Sequence, residues 1–153
     1  KYRITIKKTD NKLIASKRFI LTDVYDLPEQ WEKHYEDVLL SGSKIVSFPN
    51  SLTCFHDEEY ILENNDIELM LFLEKKGSPS DSFEYKTLDG FKAVSVIHNG
   101  RYELLNEAYA FAYRWIEFNG YEAEGYPMES YLKSIYNTKN EDEFITEILI
   151  PIH

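Results

Sequence analysis

The order of hydrophobic and turn-forming segments is nearly the same in the two halves of the chain. Corresponding segments lie about 79 residues apart, so that Ile14-Ala15-Ser16 aligns with Ala93-Val94-Ser95 and Ile67-Glu68-Leu69 aligns with Thr146-Glu147-Ile148. An internal repeat indicates that each half forms the same supersecondary unit. We therefore predict an α+β fold of two ββαββ halves related by pseudo-twofold symmetry. It has an antiparallel sheet, two main helices on one face and a central ligand groove.

Turn signals set the expected boundaries. The loop at 77–82, rich in Gly, Ser and Pro, divides the chain into halves of about 1–76 and 82–153, and a length of 153 residues favours a single domain, 1–153. Asp89-Gly90 between two β-rich segments predicts a hairpin of 83–88 with 91–98. Thr9-Asp10-Asn11 likewise predicts a hairpin of the first two strands.

Each half is expected to contain one helix. Asp26 is placed to cap the first, with Pro28 in its first turn, where a missing N–H costs nothing, and Gly42 just after its end. The second helix is predicted from about Arg101 to Phe118, with an apolar stripe along one face. The residues expected on that stripe are Leu104, Leu105, Ala108, Ala112, Trp115 and Ile116.

Composition excludes several functional classes. The chain has 17 basic and 27 acidic residues, a net charge of −10, and no large basic cluster, which argues against nucleic acid as a direct partner. No apolar run approaches the roughly 20 residues that span a bilayer, so no membrane partner is expected. The single cysteine, Cys54, cannot form an internal disulfide and favours a cytoplasmic protein. Because the sequence opens on Lys1, we expect it to be part of a longer protein.

Three carboxylates occupy predicted strands whose neighbouring positions on the same face are apolar or aromatic. They are Glu68, Glu129 and Glu147, and Glu129 shares its face with Tyr131 because strand side chains alternate. A carboxylate held against apolar surface without a partner is costly to keep charged, and a bound organic cation would offset that cost. Aromatic ring faces would add cation–π attraction. Alternatively, each Glu faces solvent or pairs with a nearby Lys or Arg.

The sequence carries no motif for metal, phosphate or nucleophile chemistry. The four histidines show no metal-ligand spacing, and there is no glycine-rich phosphate loop and no strained nucleophile elbow. We therefore predict no metal, no cofactor and no catalytic residue. Aromatic residues at helical spacing are most often core, and only some of them could line a groove. Trp115 is one such candidate ligand contact.

The sequence resembles the GyrI-like small-molecule-binding domain, most closely the C-terminal effector-binding domains of MerR-type and some AraC-type multidrug-responsive transcription regulators. The resemblance covers nearly the whole chain and is most specific in the second half. It is carried by His98-Asn99-Gly100-Arg101-Tyr102-Glu103-Leu104-Leu105, Ala108-Tyr109, Trp115-Ile116, Asn119-Gly120-Tyr121, Gly125-Tyr126-Pro127, Glu129-Ser130-Tyr131-Leu132, Thr146-Glu147-Ile148 and Pro151-Ile152.

The resemblance implies a ligand-sensing domain with a groove at the pseudo-twofold axis. In the family, the acid of the Glu-x-Tyr strand meets the positive charge of lipophilic aromatic drugs, which here implies Glu129 beside Tyr131. Aromatic walls would come from Trp31, Tyr35 and Tyr102, and Glu147 would be a second acid or a structural partner. It also implies a DNA-binding segment elsewhere in the parent protein.

Three other functions stay open. A hydrolase of the same fold would use Glu129 with a Tyr or Trp as support. An acidic interaction protein would bind a basic partner, and a haem-binding protein of this fold would bind haemin. The sequence does not decide the oligomeric state, the ligand's identity or which helix aromatics face the groove.

Overall fold

The computed structural model describes residues 2–57 and 63–153, and the chain forms two compact units. The terminal unit comprises Lys1–Thr9 and Phe91–His153, and the central unit comprises Asp10–Gly90. In chain order the elements are β1 (Arg3–Lys8), β2 (Lys12–Asp23), α1 (Leu27–Leu40), β3 (Lys44–Ile45), β4 (Ser51–Phe55), β5 (Glu63–Lys75), β6 (Glu84–Leu88), β7 (Lys92–Asn99), α2 (Leu105–Phe118), β8 (Met128–Lys133) and β9 (Ile145–Pro151). Within the described ranges, each unit has one α-helix and antiparallel strands, which confirms the α+β class.

The terminal unit packs α2 against strands in the order β1-β7-β9-β8. The helix buries Leu105, Ala108, Ala112 and Ile116, which recur at helical spacing. They meet apolar residues on one face of the neighbouring strands and one residue just beyond β9, namely Val94, Val96, Ile148, Ile150 and Ile152. The helix begins later than predicted because Tyr102–Leu104 form a short 3-10 turn, and Leu104 is consequently exposed.

The central unit packs α1 against strands in the order β4-β5-β2-β6, with β3 also paired to β5. Its core consists of Ala15, Val38, Leu71, Leu73 and Phe83. Pro28 lies in the first turn of α1, as predicted, and the backbone turns at Gly42 with φ of 80° just beyond the helix end. Asp26 occupies the capping position but its side chain makes no capping hydrogen bond.

The two predicted hairpins are wrong. The first strand, β1, pairs with β7 rather than β2, and β6 pairs with β2 rather than β7. Each unit therefore takes one strand from the opposite half of the sequence. The halves are similar, so β1 and β6 offer nearly the same pattern of side chains, and local turn signals do not determine which neighbour each strand joins.

The helices are too short for a membrane span. Among the described residues, neither one combines the length and apolarity required to cross a bilayer.

A fully buried histidine lies between α1 and the sheet of the central unit. His34 is 0% exposed, its Nε2 lies 3.0 Å from the Ala15 carbonyl oxygen, and its ring packs edge-on against Trp31 and Phe83 at 5.7 Å from each. Burial lowers the pKa of His34 below its usual 6.5, with Lys17 adding to the effect, while the Ala15 carbonyl and Asp37 oppose it. The neutral ring is therefore the form that the fold accommodates.

We expect acid to destabilise the fold through His34. A lowered folded-state pKa means that this contribution to stability is complete above pH 6.5 and is lost as pH falls below it. The loss approaches about 1.4 kcal/mol per pH unit for one proton. His34→Gln keeps a hydrogen-bond donor for the Ala15 carbonyl and should reduce the dependence of the free energy of unfolding on pH below 6.5. Urea unfolding between neutral and mildly acidic pH measures the effect, and the exposed His153→Gln is the control. An unchanged slope in His34→Gln would contradict the prediction.

Candidate functional site

The three carboxylates singled out in the sequence are all buried but have different partners. Glu68, Glu129 and Glu147 are 4%, 5% and 8% exposed. Because a buried carboxylate must be compensated or neutralised, the groups around each one decide what it can do.

Glu68, on β5, is fully compensated within the central unit. Its Oε2 accepts a hydrogen bond from Ser16 at 2.6 Å and lies 2.6 Å from the Lys86 ammonium, and its Oε1 lies 2.8 Å from His56 Nε2. Burial alone would raise the pKa of Glu68, but the hydrogen bonds from Lys86, Ser16 and His56 together lower it. Glu68 is therefore held as an anion by the protein's own groups.

Glu147, on β9, has the equivalent partners in the terminal unit. Its Oε2 accepts a hydrogen bond from Ser95 at 2.6 Å and lies 2.5 Å from the Lys7 ammonium. We call these two groups the Lys–Ser–Glu clusters: Lys86, Ser16 and Glu68 in one unit, and Lys7, Ser95 and Glu147 in the other. Each member lies about 79 positions from its counterpart, so the repeat extends to individual polar contacts.

Glu129 has neutral partners instead. The alternation of β8 places Glu129 and Tyr131 on one face, and α2 places Tyr109 over the same face. The Tyr131 hydroxyl donates to Glu129 Oε1 at 2.8 Å, and the Tyr109 hydroxyl donates to Oε2. Each carboxylate oxygen thus accepts one tyrosine hydrogen bond.

No cation pairs with Glu129 among residues 2–57 and 63–153. Burial raises the pKa of Glu129, and the hydrogen bonds from Tyr109 and Tyr131 only partly oppose that effect. Hydrogen bonds to neutral hydroxyls stabilise the anion less than a charged partner does. The carboxylate of Glu129 consequently retains an uncompensated negative charge whenever it is ionised.

Two of the tyrosines near Glu129, Tyr109 and Tyr102, stay neutral. Burial and the charge of Glu129 raise the pKa of Tyr109 well above its usual value and raise the pKa of Tyr102 to about 12. The Tyr102 ring lies 5.8 Å from the Tyr131 ring in an edge arrangement and 5.0 Å from Phe144. The side chains around Glu129 therefore combine one buried anion, neutral hydroxyl donors and aromatic rings, which can attract a cation by charge and by ring quadrupole.

The other predicted ligand contacts have different surroundings. Trp115 packs against the core of the terminal unit and stacks on Tyr121, with ring planes 8° apart and centroids 6.1 Å apart. In the central unit, Trp31 donates its indole N–H to Thr53 at 2.8 Å, and Tyr35 is 41% exposed. Of the eight predicted residues, the contacts described above join Tyr102 and Tyr131 to the Glu129 site. Roles for Trp31, Tyr35 and Trp115 in a groove stay predictions.

The sequence patterns did not place Tyr109 at the site. For Glu68 and Glu147 they left pairing with a Lys or Arg as one alternative, which the structure shows, but they did not indicate Lys86 or Lys7. Tyr109 is an aromatic residue at helical spacing, a pattern most often typical of core, but its place four residues after Leu105 and one after Ala108 puts it at the border of the apolar stripe. A tyrosine at that border can bury its ring and direct its hydroxyl to the sheet. For the clusters, the signal was the offset of about 79 residues, which relates Lys7 to Lys86 as well as the two acids.

The described residues contain no group of three or more His, Cys, Asp or Glu side chains suited to a metal ion.

Comparisons with known proteins agree with the resemblance seen in the sequence. A family model described as the GyrI-like small molecule binding domain matches residues 3–153. No curated protein matches the sequence. The crystal structure of the C-terminal domain of EcmrR, a MerR-family regulator, is 30% identical, with a TM-score of 0.91 over 99% of this chain and 98% of that domain. The EcmrR chain in a cryo-EM structure with DNA is also 30% identical, with a TM-score of 0.92 over 99% of this chain. The present chain spans 57% of the length of that protein.

Two more distant structures share the fold. SAV2435 bound to tetraphenylphosphonium is 10% identical, with a TM-score of 0.59 and coverage of 99% of this chain and 94% of that one. A hydrolase from Listeria innocua is also 10% identical, with a TM-score of 0.68 and coverage of 99% and 92%.

Proposed function

The chain belongs to the GyrI-like small-molecule-binding family, and we propose that it is a sensor domain for lipophilic aromatic cations whose charge is met by Glu129. Tyr131, Tyr109 and Tyr102 contribute hydroxyl groups and ring surface around that carboxylate. The domain binds its ligand reversibly and does not transform it.

One observation carries the proposal: within residues 2–57 and 63–153, Glu129 is buried with no cation beside it, whereas Glu68 and Glu147 each have a lysine. In this part of the chain the fold thus supplies a compensating ammonium to two buried acids and tyrosine hydroxyl groups to the third. A bound organic cation would supply the missing charge at Glu129, and the low local dielectric would strengthen that attraction.

The ligand class follows from the chemistry of the site. Both Glu129 oxygens already accept a tyrosine hydrogen bond, so the ligand does not have to donate one. Aromatic rings beside the carboxylate favour a cation with a large apolar surface. The SAV2435 complex with tetraphenylphosphonium gives a precedent for such a ligand on this fold.

We further propose that ligand binding here controls transcription in the parent protein. The support is the similarity to EcmrR, in which the equivalent domain is C-terminal and the full protein forms a complex with DNA. In that arrangement the acidic sensor domain would not itself contact DNA, since a net charge of −10 disfavours phosphate contacts.

The test is a titration with a matched pair of ligands, tetraphenylphosphonium and neutral triphenylphosphine oxide. Isothermal titration calorimetry should show saturable binding of the cation at least about tenfold tighter than the neutral compound, or about 1.4 kcal/mol. Recovery of unchanged ligand after long incubation separates a sensor from a hydrolase. Equal affinity for the two compounds, or turnover of the ligand, would contradict the proposal.

A further inference from the structure

The central unit has a strand that extends well beyond its neighbour. β2 runs from Lys12 to Asp23, but β6 pairs only with Lys12–Ser16. On its other side, β2 is paired with β5 as far as Asp23 opposite Glu63. Among the described residues, β6 is the only strand on the first side, so the stretch from Phe19 to Thr22 has no strand partner there. An exposed edge of this kind is a template for another strand.

The side chains along this edge favour pairing rather than protection. The stretch Phe19-Ile20-Leu21-Thr22 consists of residues with high preference for strands or large apolar area, and it contains no proline, glycine or charge. Ile20 is 58% exposed, whereas Leu21, on the other face, is 2% exposed. Edge strands that avoid association usually carry charges or proline along their length, whereas here the charges flank the segment, with Lys17 and Arg18 before it and Asp23 after it.

We propose that this edge, defined as residues 17–23 of β2, pairs antiparallel with the same edge of a second copy of the chain. The twofold axis passes through Ile20, so that the two Ile20 residues face each other. Phe19 then lies opposite Leu21 of the second copy, and Lys17 lies opposite its Asp23.

Charge and face both support this register. A twofold centred on Ile20 places opposite charges together twice, once at each end of the paired segment, which stabilises cross-strand pairs. It also keeps the faces consistent, because Phe19 and Leu21 lie on one face and Ile20 on the other. If the axis moves by one residue, to Phe19 or Leu21, Lys17 no longer lies opposite Asp23 of the second copy. The sequence is thus self-complementary in one register, as an isologous interface requires.

Charge reversal tests the register. Light scattering should show a concentration-dependent increase from 18.1 kDa to twice that mass. Lys17→Glu and Asp23→Lys should each weaken association at least about tenfold by placing like charges opposite each other. The double variant restores opposite charges and should recover association. Asp23 also accepts a hydrogen bond from the Tyr25 amide, so circular dichroism accompanies each variant to verify folding.

Cross-linking gives an independent test that does not depend on charge. Opposite residues of an antiparallel pair have Cβ atoms about 4.5–5.5 Å apart, within reach of a disulfide after small adjustment. Ile20→Cys should therefore form a disulfide-linked dimer under mild oxidation, while native Cys54 is 4% exposed and stays reduced. The control is Tyr25→Cys, at a position that is 78% exposed but far from its counterpart in this register. A monomer at every concentration, or cross-linking of Ile20→Cys no faster than Tyr25→Cys, would overturn the proposal.

Discussion

Replacing Glu129 by glutamine is expected to weaken binding of tetraphenylphosphonium by about ten- to a hundredfold, or about 1.4–2.7 kcal/mol. The substitution keeps the shape of the side chain and leaves an oxygen that can accept from Tyr131 or Tyr109. What it removes is the negative charge of the buried carboxylate, which has no charged partner among the described residues. Because that carboxylate is 5% exposed, water and salt screen its attraction for a ligand weakly, and the loss is larger than for a surface acid.

The matched control is Glu107→Gln. Glu107 is an exposed residue in the first turn of α2, so this variant has the same net charge as Glu129→Gln without altering the buried site. Fluorescence quenching of Trp31 and Trp115 or calorimetry gives both affinities. If general acidity of the chain draws in cations, the two variants should lose affinity equally. Equal losses, or no loss in Glu129→Gln, would show that Glu129 does not meet the ligand's charge.

Local patterns in the sequence predicted the half of the site that lies on one strand. Alternation places Glu129 and Tyr131 on the same face of β8 without any knowledge of neighbouring elements. The contribution of Tyr109 depends on how α2 is rotated over the sheet, and a tyrosine at the border of an apolar stripe fits a core position equally well. Periodicity therefore predicted the helix but not the hydrogen bond from its tyrosine hydroxyl.

The lysine partners were harder to predict because they depend on strand pairing. Lys7 reaches Glu147 because β1 joins β7, which is itself paired with β9, and Lys86 reaches Glu68 because β6 joins β2. The turn signals instead favoured pairing of β1 with β2 and of β6 with β7. The repeat is the feature that allows the observed pairing, because β1 and β6 correspond across an offset of about 79 residues and either can pair at the other's position with little change in pairing energy.

The contrast between two buried acids predicts stability changes of opposite sign. Glu68→Gln should lower the free energy of unfolding by about 2–3 kcal/mol, because it leaves Lys86 and His56 without the carboxylate that they contact. The value is at the low end for a buried ion pair since the Lys86 side chain is 43% exposed and can reach water. Glu129→Gln should raise the free energy of unfolding by on the order of 1 kcal/mol at neutral pH, because it removes a buried charge that no cation of the described part of the chain compensates.

The dependence on pH separates the two effects. The pKa of Glu68 is lowered, so its contribution to stability is present above pH 4.5 and is lost as pH falls below that value. The pKa of Glu129 is raised, so the protonated side chain is favourable at low pH and that stability is lost as pH rises above 4.5. The advantage of Glu129→Gln over the wild type should consequently grow from pH 4.5 towards neutrality, and the deficit of Glu68→Gln should shrink in acid. Urea unfolding across this pH range measures both stability differences from the wild type.

A Glu129→Gln variant that is less stable than the wild type at neutral pH would mean that the protein compensates this carboxylate itself. The reason for a cationic ligand would then be lost.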